Sequence, residues 1–156
     1  MKRFRSFRLL VTVLTLCLLP ALAGAEITEN RRFIDVIDHK GGNVLDMVKL
    51  RSRLENGRKP VRVRGYCRSA CTMLITMNNA CLGPKATVGF HAPRIPGTAI
   101  IPPYVDQIMA SYYRNGILKK WNQEWRGSLK MHVITARDYV RLDPQTKICD
   151  SIPVRN

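Results

Sequence analysis

A chain of 156 residues with net charge +15 and no internal repeat, low-complexity stretch or linker is sized for one domain. Its basic residues, such as Arg51, Arg62, Lys119 and Lys120, are scattered and not interleaved with aromatics. That pattern excludes a specific nucleic-acid motif and leaves a surface suited to anionic partners.

Lys2, Arg3, Arg5 and Arg8 precede an apolar run from Leu9 to Leu19, which Pro20 breaks. The run is shorter than the roughly 20 apolar residues of a membrane span, and Ala23-Gly24-Ala25 supplies small residues at a cleavage site. Residues 1–25 are therefore expected to be a signal peptide and 26–156 one periplasmic or secreted α/β domain, with no transmembrane span after cleavage. Cleavage before Glu26 removes four basic and no acidic residues, which takes the charge from +15 to +11 over 131 residues.

Arg32 to Asp38 is rich in β-formers and predicts a strand, ended by Gly41-Gly42. Asn43 caps a helix to about Asn56, whose apolar positions Val44, Met47, Val48, Leu50 and Leu54 recur at helical spacing. Gly57 stops it, and Val61-Arg62-Val63-Arg64 alternates as a strand with one wet face. A helix follows from about Ser69 to Met77, then short strands at Cys81-Leu82 and Thr87 to Phe90. Four prolines between 92 and 103 exclude regular structure. Tyr104 to about Trp125 is helical with a break at Asn115-Gly116. Thr135 to Asp138 has capping-box spacing and opens a last helix, and Lys147 to Asp150 is a closing strand. Alternating strands and helices on short connections imply a mainly parallel sheet.

Four cysteines follow the leader: Cys67, Cys71, Cys81 and Cys149. An even number in an exported chain points to disulfides, with three pairings open. Their spacing, with His91 nearby, fits no zinc pattern, so neither metal nor cofactor is expected.

Ser69 opens a helix after a strand, where unpaired amides could receive an oxyanion. His91 ends the next strand, and adjacent parallel strand ends lie on one edge of a sheet. A serine needs such a base to become nucleophilic. The same residues also suit plainer roles, Ser69 as an N-cap and His91 as a hydrogen-bonded strand-end residue. His39 reads as a solvent-facing turn residue, and His132 has no evident partner.

Ile34 to Val44 with its Gly-Gly turn, Gly65 to Thr72 containing Cys-x-Ser-Ala-Cys-Thr, and Pro84 to Pro93 occur in an order that resembles the Clp-protease proteolytic subunit. Thr135 to Ile152 completes the likeness, which spans residues 33–152 and points to small exported members of the Clp/crotonase superfamily. The resemblance implies repeated ββα/βαβ units, Ser69 as nucleophile, His91 as general base, and the Gly42 and Ala70 amides as oxyanion hole. It implies a serine hydrolase, peptidase-like, acting on a peptide or acyl substrate. It also suggests Cys81–Cys149 as one disulfide, leaving Cys67 and Cys71 to pair across the Ser69 turn.

Two departures stand out. The region where the family carries its third, acidic member reads Lys130-Met131-His132-Val133-Ile134. Asp106, Glu124 or Asp138 would have to substitute, or the site works as a dyad. The family's opening strand and helix have no counterpart between Glu26 and Arg31, so the fold is N-terminally short, with a partner chain or homo-oligomer expected to complete the sheet. An inactive scaffold that binds an acidic peptide, lipid or polymer through its basic surface is the alternative function.

Overall fold

The computed structural model describes residues 26–149; the expected leader and the tail beyond Cys149 lie outside the described residues. The architecture is mixed α/β, with two small sheets. The first has strand order β1-β2-β3-β5, built from β1 (Glu26–Glu29), β2 (Ile34–Ile37), β3 (Val61–Arg64) and β5 (Ala80–Leu82). The second has order β4-β6-β7, built from β4 (Tyr66–Arg68), β6 (Thr87–Phe90) and β7 (His132–Thr135). The pairings β2/β3, β3/β5 and β4/β6 are parallel, whereas β1/β2 and β6/β7 are antiparallel at the edges.

Helix α1 (Val44–Asn56) carries the chain from β2 to β3. Asn43 caps it by accepting from the amides of Leu45 and Asp46, and Val44, Met47 and Leu54 bury the inner face. On β3, Val61 and Val63 are fully buried, while Arg62 turns to the other face and pairs with Asp35 across the register at 2.7 Å. The alternation of the sequence is thus the alternation of the sheet.

At Gly65 (φ +64) the chain leaves the first sheet and starts the second. Asp38 fixes this crossing by accepting the Tyr66 amide at 2.8 Å, and a Cβ on Gly65 would lie 2.3 Å from the Asp38 carboxylate. The segment after β4 is not the expected helix to Met77 but a 3-10 turn, Ser69–Leu74. Its residues from Ala70 to Leu74 are all buried, so it plugs the core instead of laying one face on it. A segment apolar all round carries no periodic stripe to distinguish its helix type.

The long helical stretch is three pieces: α2 (Val105–Ala110), α3 (Asn115–Lys120) and a π-turn, Trp121–Trp125. The break falls at Ser111–Arg114, and the helix resumes at the expected break point, Asn115. This layer covers Phe90, which stacks on Trp125 (4.4 Å between centroids) and meets Tyr113 edge-on (5.6 Å). Asp143, fully buried, receives Arg114, Asn115 and Thr146 and ties α3 to the end of α4 (Ala136–Leu142). Burial pushes its carboxyl up, but those three donors together hold it below the ordinary value.

Three strands stand where none was expected: β4, in what reads as the turn between Gly65 and Ser69, together with β1 and β7. β1 forms because Asn30 turns the chain, accepting from the amides of Arg32 and Phe33, and it covers the outer edge of β2. β7 alternates half-buried and exposed positions over only four residues, too short a pattern to register. The closing strand is reduced to a single parallel bridge between Leu82 and Ile148, with Asp150 outside the described residues. Disulfides join Cys67 to Cys71 and Cys81 to Cys149, which matches the expected pairing. No helix among the described residues is long and apolar enough to cross a membrane.

Candidate functional site

Ser69 sits at the junction of β4 and the 3-10 turn with φ +56. That left-handed conformation costs a residue with a Cβ roughly 1–2 kcal/mol, so the surroundings must enforce it. Three restraints do. The Cys67–Cys71 disulfide spans the turn, with both cysteines fully buried. Thr72 Oγ1 donates to the Ser69 carbonyl at 2.7 Å. The Thr72 hydroxyl has one hydrogen, so at its 2.7 Å contact with Tyr113 the phenol is the donor. Burial pushes the Tyr113 phenol up, which keeps that proton in place.

The third restraint is the loop between β2 and α1. A Cβ on Gly41 (φ +84) would fall 2.7 Å from the Arg68 carbonyl oxygen and 2.8 Å from both the Ala70 nitrogen and Ser69 Cβ. Gly41, not Gly42, therefore makes the close approach. Gly42 (φ +133) has open space where a side chain would go, and glycine is required there by its backbone angle. His39 anchors this loop: its carbonyl accepts the Arg68 amide and its Nδ1 accepts the Gly41 amide, each at 3.1 Å. Far from facing solvent, the His39 ring is half-buried, and burial lowers its pKa. The Gly42 and Ala70 amides donate to no other residue among the described residues.

His91 directly follows β6. The parallel register pairs Arg68 with Gly89, so Ser69 and His91 leave neighbouring strand ends on the same edge. No hydrogen bond joins the Ser69 hydroxyl to the His91 ring. His91 Nδ1 lies 2.6 Å from the Ala92 carbonyl oxygen. A carbonyl only accepts, so Nδ1 carries the proton and Nε2 of the neutral ring keeps its lone pair. Ala92 is itself fixed, fully buried and donating its amide to the Ser128 carbonyl at 2.7 Å. Burial lowers the His91 pKa, and Arg94 and Arg68 lower it further against the raising effect of the Ala92 carbonyl.

The three carboxylates considered as orienting groups are engaged elsewhere. Asp106 faces Arg126 at 3.9 Å, Glu124 pairs with Lys120 at 2.7 Å, and Asp138 takes Thr135 and Arg141 at 2.7 and 3.0 Å. Thr135 and Asp138 do form the cap that their spacing suggests. His132 bonds the Ser128 hydroxyl at 2.9 Å. The four described cysteines are all in disulfides, so none offers a thiolate ligand.

The supports missed in the sequence were Gly41, His39, Thr72, Tyr113 and the Ala92 carbonyl. Only Thr72 had a local signal, a threonine three residues after the serine, the spacing of a side-chain bond back to the backbone. No family model matches the chain, and no curated protein matches it.

Proposed function

We propose that this chain is an exported serine hydrolase of Clp/crotonase-like fold, with Ser69 as nucleophile and His91 as base. The observation that carries the reading is Ser69 itself, held left-handed on a fully buried disulfide turn beside the end of β6. A serine serving only as an N-cap has no need of that strain, and Ser69 makes no capping bond. Strain enforced from several sides is characteristic of functional positions.

The chemistry is acyl transfer. Ser69 Oγ attacks the acyl carbon while its proton passes to His91 Nε2, and the oxyanion is received by the Gly42 and Ala70 amides. The leaving group departs with the proton from His91, and water then hydrolyses the acyl-enzyme with the same base. The Ala92 carbonyl takes the orienting position at Nδ1 that a carboxylate fills in a triad, which makes the site a dyad. The missing Ser69–His91 hydrogen bond fits a free enzyme whose catalytic bonds tighten on substrate. Two disulfides suit an oxidising compartment, periplasmic or extracellular.

A fluorophosphonate probe tests this. Folded wild-type protein should label, Ser69→Ala should not label at all, and His91→Ala should label at least about 100-fold more slowly. Absence of labelling in well-folded wild-type protein would overturn the hydrolase reading.

A further inference from the structure

We propose that two adjoining clefts flanking Pro84–Ala86 form a binding site for phosphoryl groups carried close together on one ligand. One cleft, about 420 Å³, is lined by Lys85, Thr87, Arg137, Asp138 and Arg141. The other, about 440 Å³, is lined by Arg62, Arg64, Gly65, Lys85 and Cys149. Pro84, Lys85 and Ala86 belong to both, so Lys85 stands on the dividing wall.

The site is separate from Ser69 and His91. Thr87, at the cleft, begins β6, and His91 follows its other end, four residues or about 13 Å away at the rise of a strand. The antiparallel register sets Thr135 opposite Thr87, which brings Arg137 and Arg141 of α4 to the same end.

Positive charge here is in excess. Lys85 and Arg137 are exposed and form no ion pair among the described residues. Asp138 is the one acid lining either cleft, and it is shared between Thr135 and Arg141. Asp35, which lines neither cleft, is gripped by Arg62 at 2.7 Å, while Arg64 reaches it only at 3.5 Å. Asp38, whose carboxylate lies against Gly65, accepts the Tyr66 amide. No aromatic side chain lines either cleft, which removes the stacking platform that a base would need. What remains is small-walled space facing cations from three elements. A phosphoryl group concentrates up to two charges and three acceptors in that space, and arginine forks match its geometry. A carboxylate brings a single charge. This proposal is independent of the Ser69 chemistry.

The test is titration of the disulfide-intact protein with inorganic tripolyphosphate and, separately, with phosphatidylcholine vesicles containing a phosphatidylinositol bisphosphate. Lys85→Ala/Arg137→Ala should weaken binding by about tenfold or more, and Lys85→Glu alone should weaken it further than Lys85→Ala alone. Lys119→Ala/Lys130→Ala, which removes equal charge outside the clefts, should change it little. Binding of tripolyphosphate identifies a soluble ligand, and binding of vesicles alone identifies a headgroup. Equal weakening in the two double variants, no binding of either probe, or equally tight binding of poly-glutamate would overturn the proposal. Fluorophosphonate labelling of Ser69 should be the same in all these variants.

Discussion

Ser69 and His91 meet opposite demands, one strained into a rare backbone angle, the other held by a backbone carbonyl. His91 can accept the Ser69 proton only while its ring is neutral. Burial, then Arg94 and Arg68, hold its pKa below 6.5, so labelling of Ser69 should be more than half-maximal at pH 6.5 and fall only in more acid solution. A labelling midpoint above 6.5 would exclude His91 as the base in this environment. The same lowering links to stability. A histidine depressed in the fold contributes stability that is complete above its unfolded value and lost as pH falls through the folded one. His39 shifts in the same direction, and its protonation at Nδ1 would also remove the acceptor for the Gly41 amide. Acid should therefore weaken the fold and the loop beside Ser69 together.

The turn after β4 is the element on which the site depends, and Thr72 holds it from inside. Thr72→Val deletes the bond to the Ser69 carbonyl and leaves the Tyr113 hydroxyl buried without a partner. Urea unfolding should show a loss of about 1–3 kcal/mol, and Ser69 labelling should slow. Tyr113→Phe removes only the outer bond, leaves Thr72 on Ser69, and should cost less on both measures. Equal slowing of labelling in the two variants would show that Thr72 does not position Ser69. This element also marks the limit of what the chain discloses before folding. α1 was legible because its apolar residues repeat at helical spacing between Asn43 and Gly57. The neighbourhood of Ser69 and His91 was legible only in outcome: the strand expected before Ser69, Val61–Arg64, pairs in the other sheet, and the parallel pairing with β6 is made by β4, which was not expected. The 3-10 form was not legible, because Ala70 to Leu74 are all buried, and neither was β7, where four alternating residues run directly into a helix cap. Gly41 was hidden for another reason: its role depends on the backbone of Arg68 and Ala70, which approaches only once both sheets exist.

Across the whole molecule the two disulfides divide stability from chemistry. Cys81–Cys149 closes a loop of sequence separation 68, and Cys67–Cys71 one of separation 4. Chain entropy assigns the long loop about 4 kcal/mol and the short one about 2. The long bridge also fastens the C-terminal segment, which otherwise joins the first sheet through the Leu82–Ile148 bridge, the Leu82 amide on the Lys147 carbonyl and Lys147 on Asn78. Replacing Cys81 and Cys149 by serine should therefore lower unfolding free energy more than replacing Cys67 and Cys71. Labelling should respond in the reverse order. Loss of Cys67–Cys71 frees the turn that strains Ser69, whereas loss of Cys81–Cys149 acts at β5, in the other sheet. Below the unfolding transition, the Cys81/Cys149 variant should label at close to the wild-type rate and the Cys67/Cys71 variant much more slowly. If labelling instead followed global stability in both variants, the Cys67–Cys71 bridge would be an ordinary staple, and the left-handed Ser69 would owe its shape to packing against Gly41 and the Thr72 bond alone.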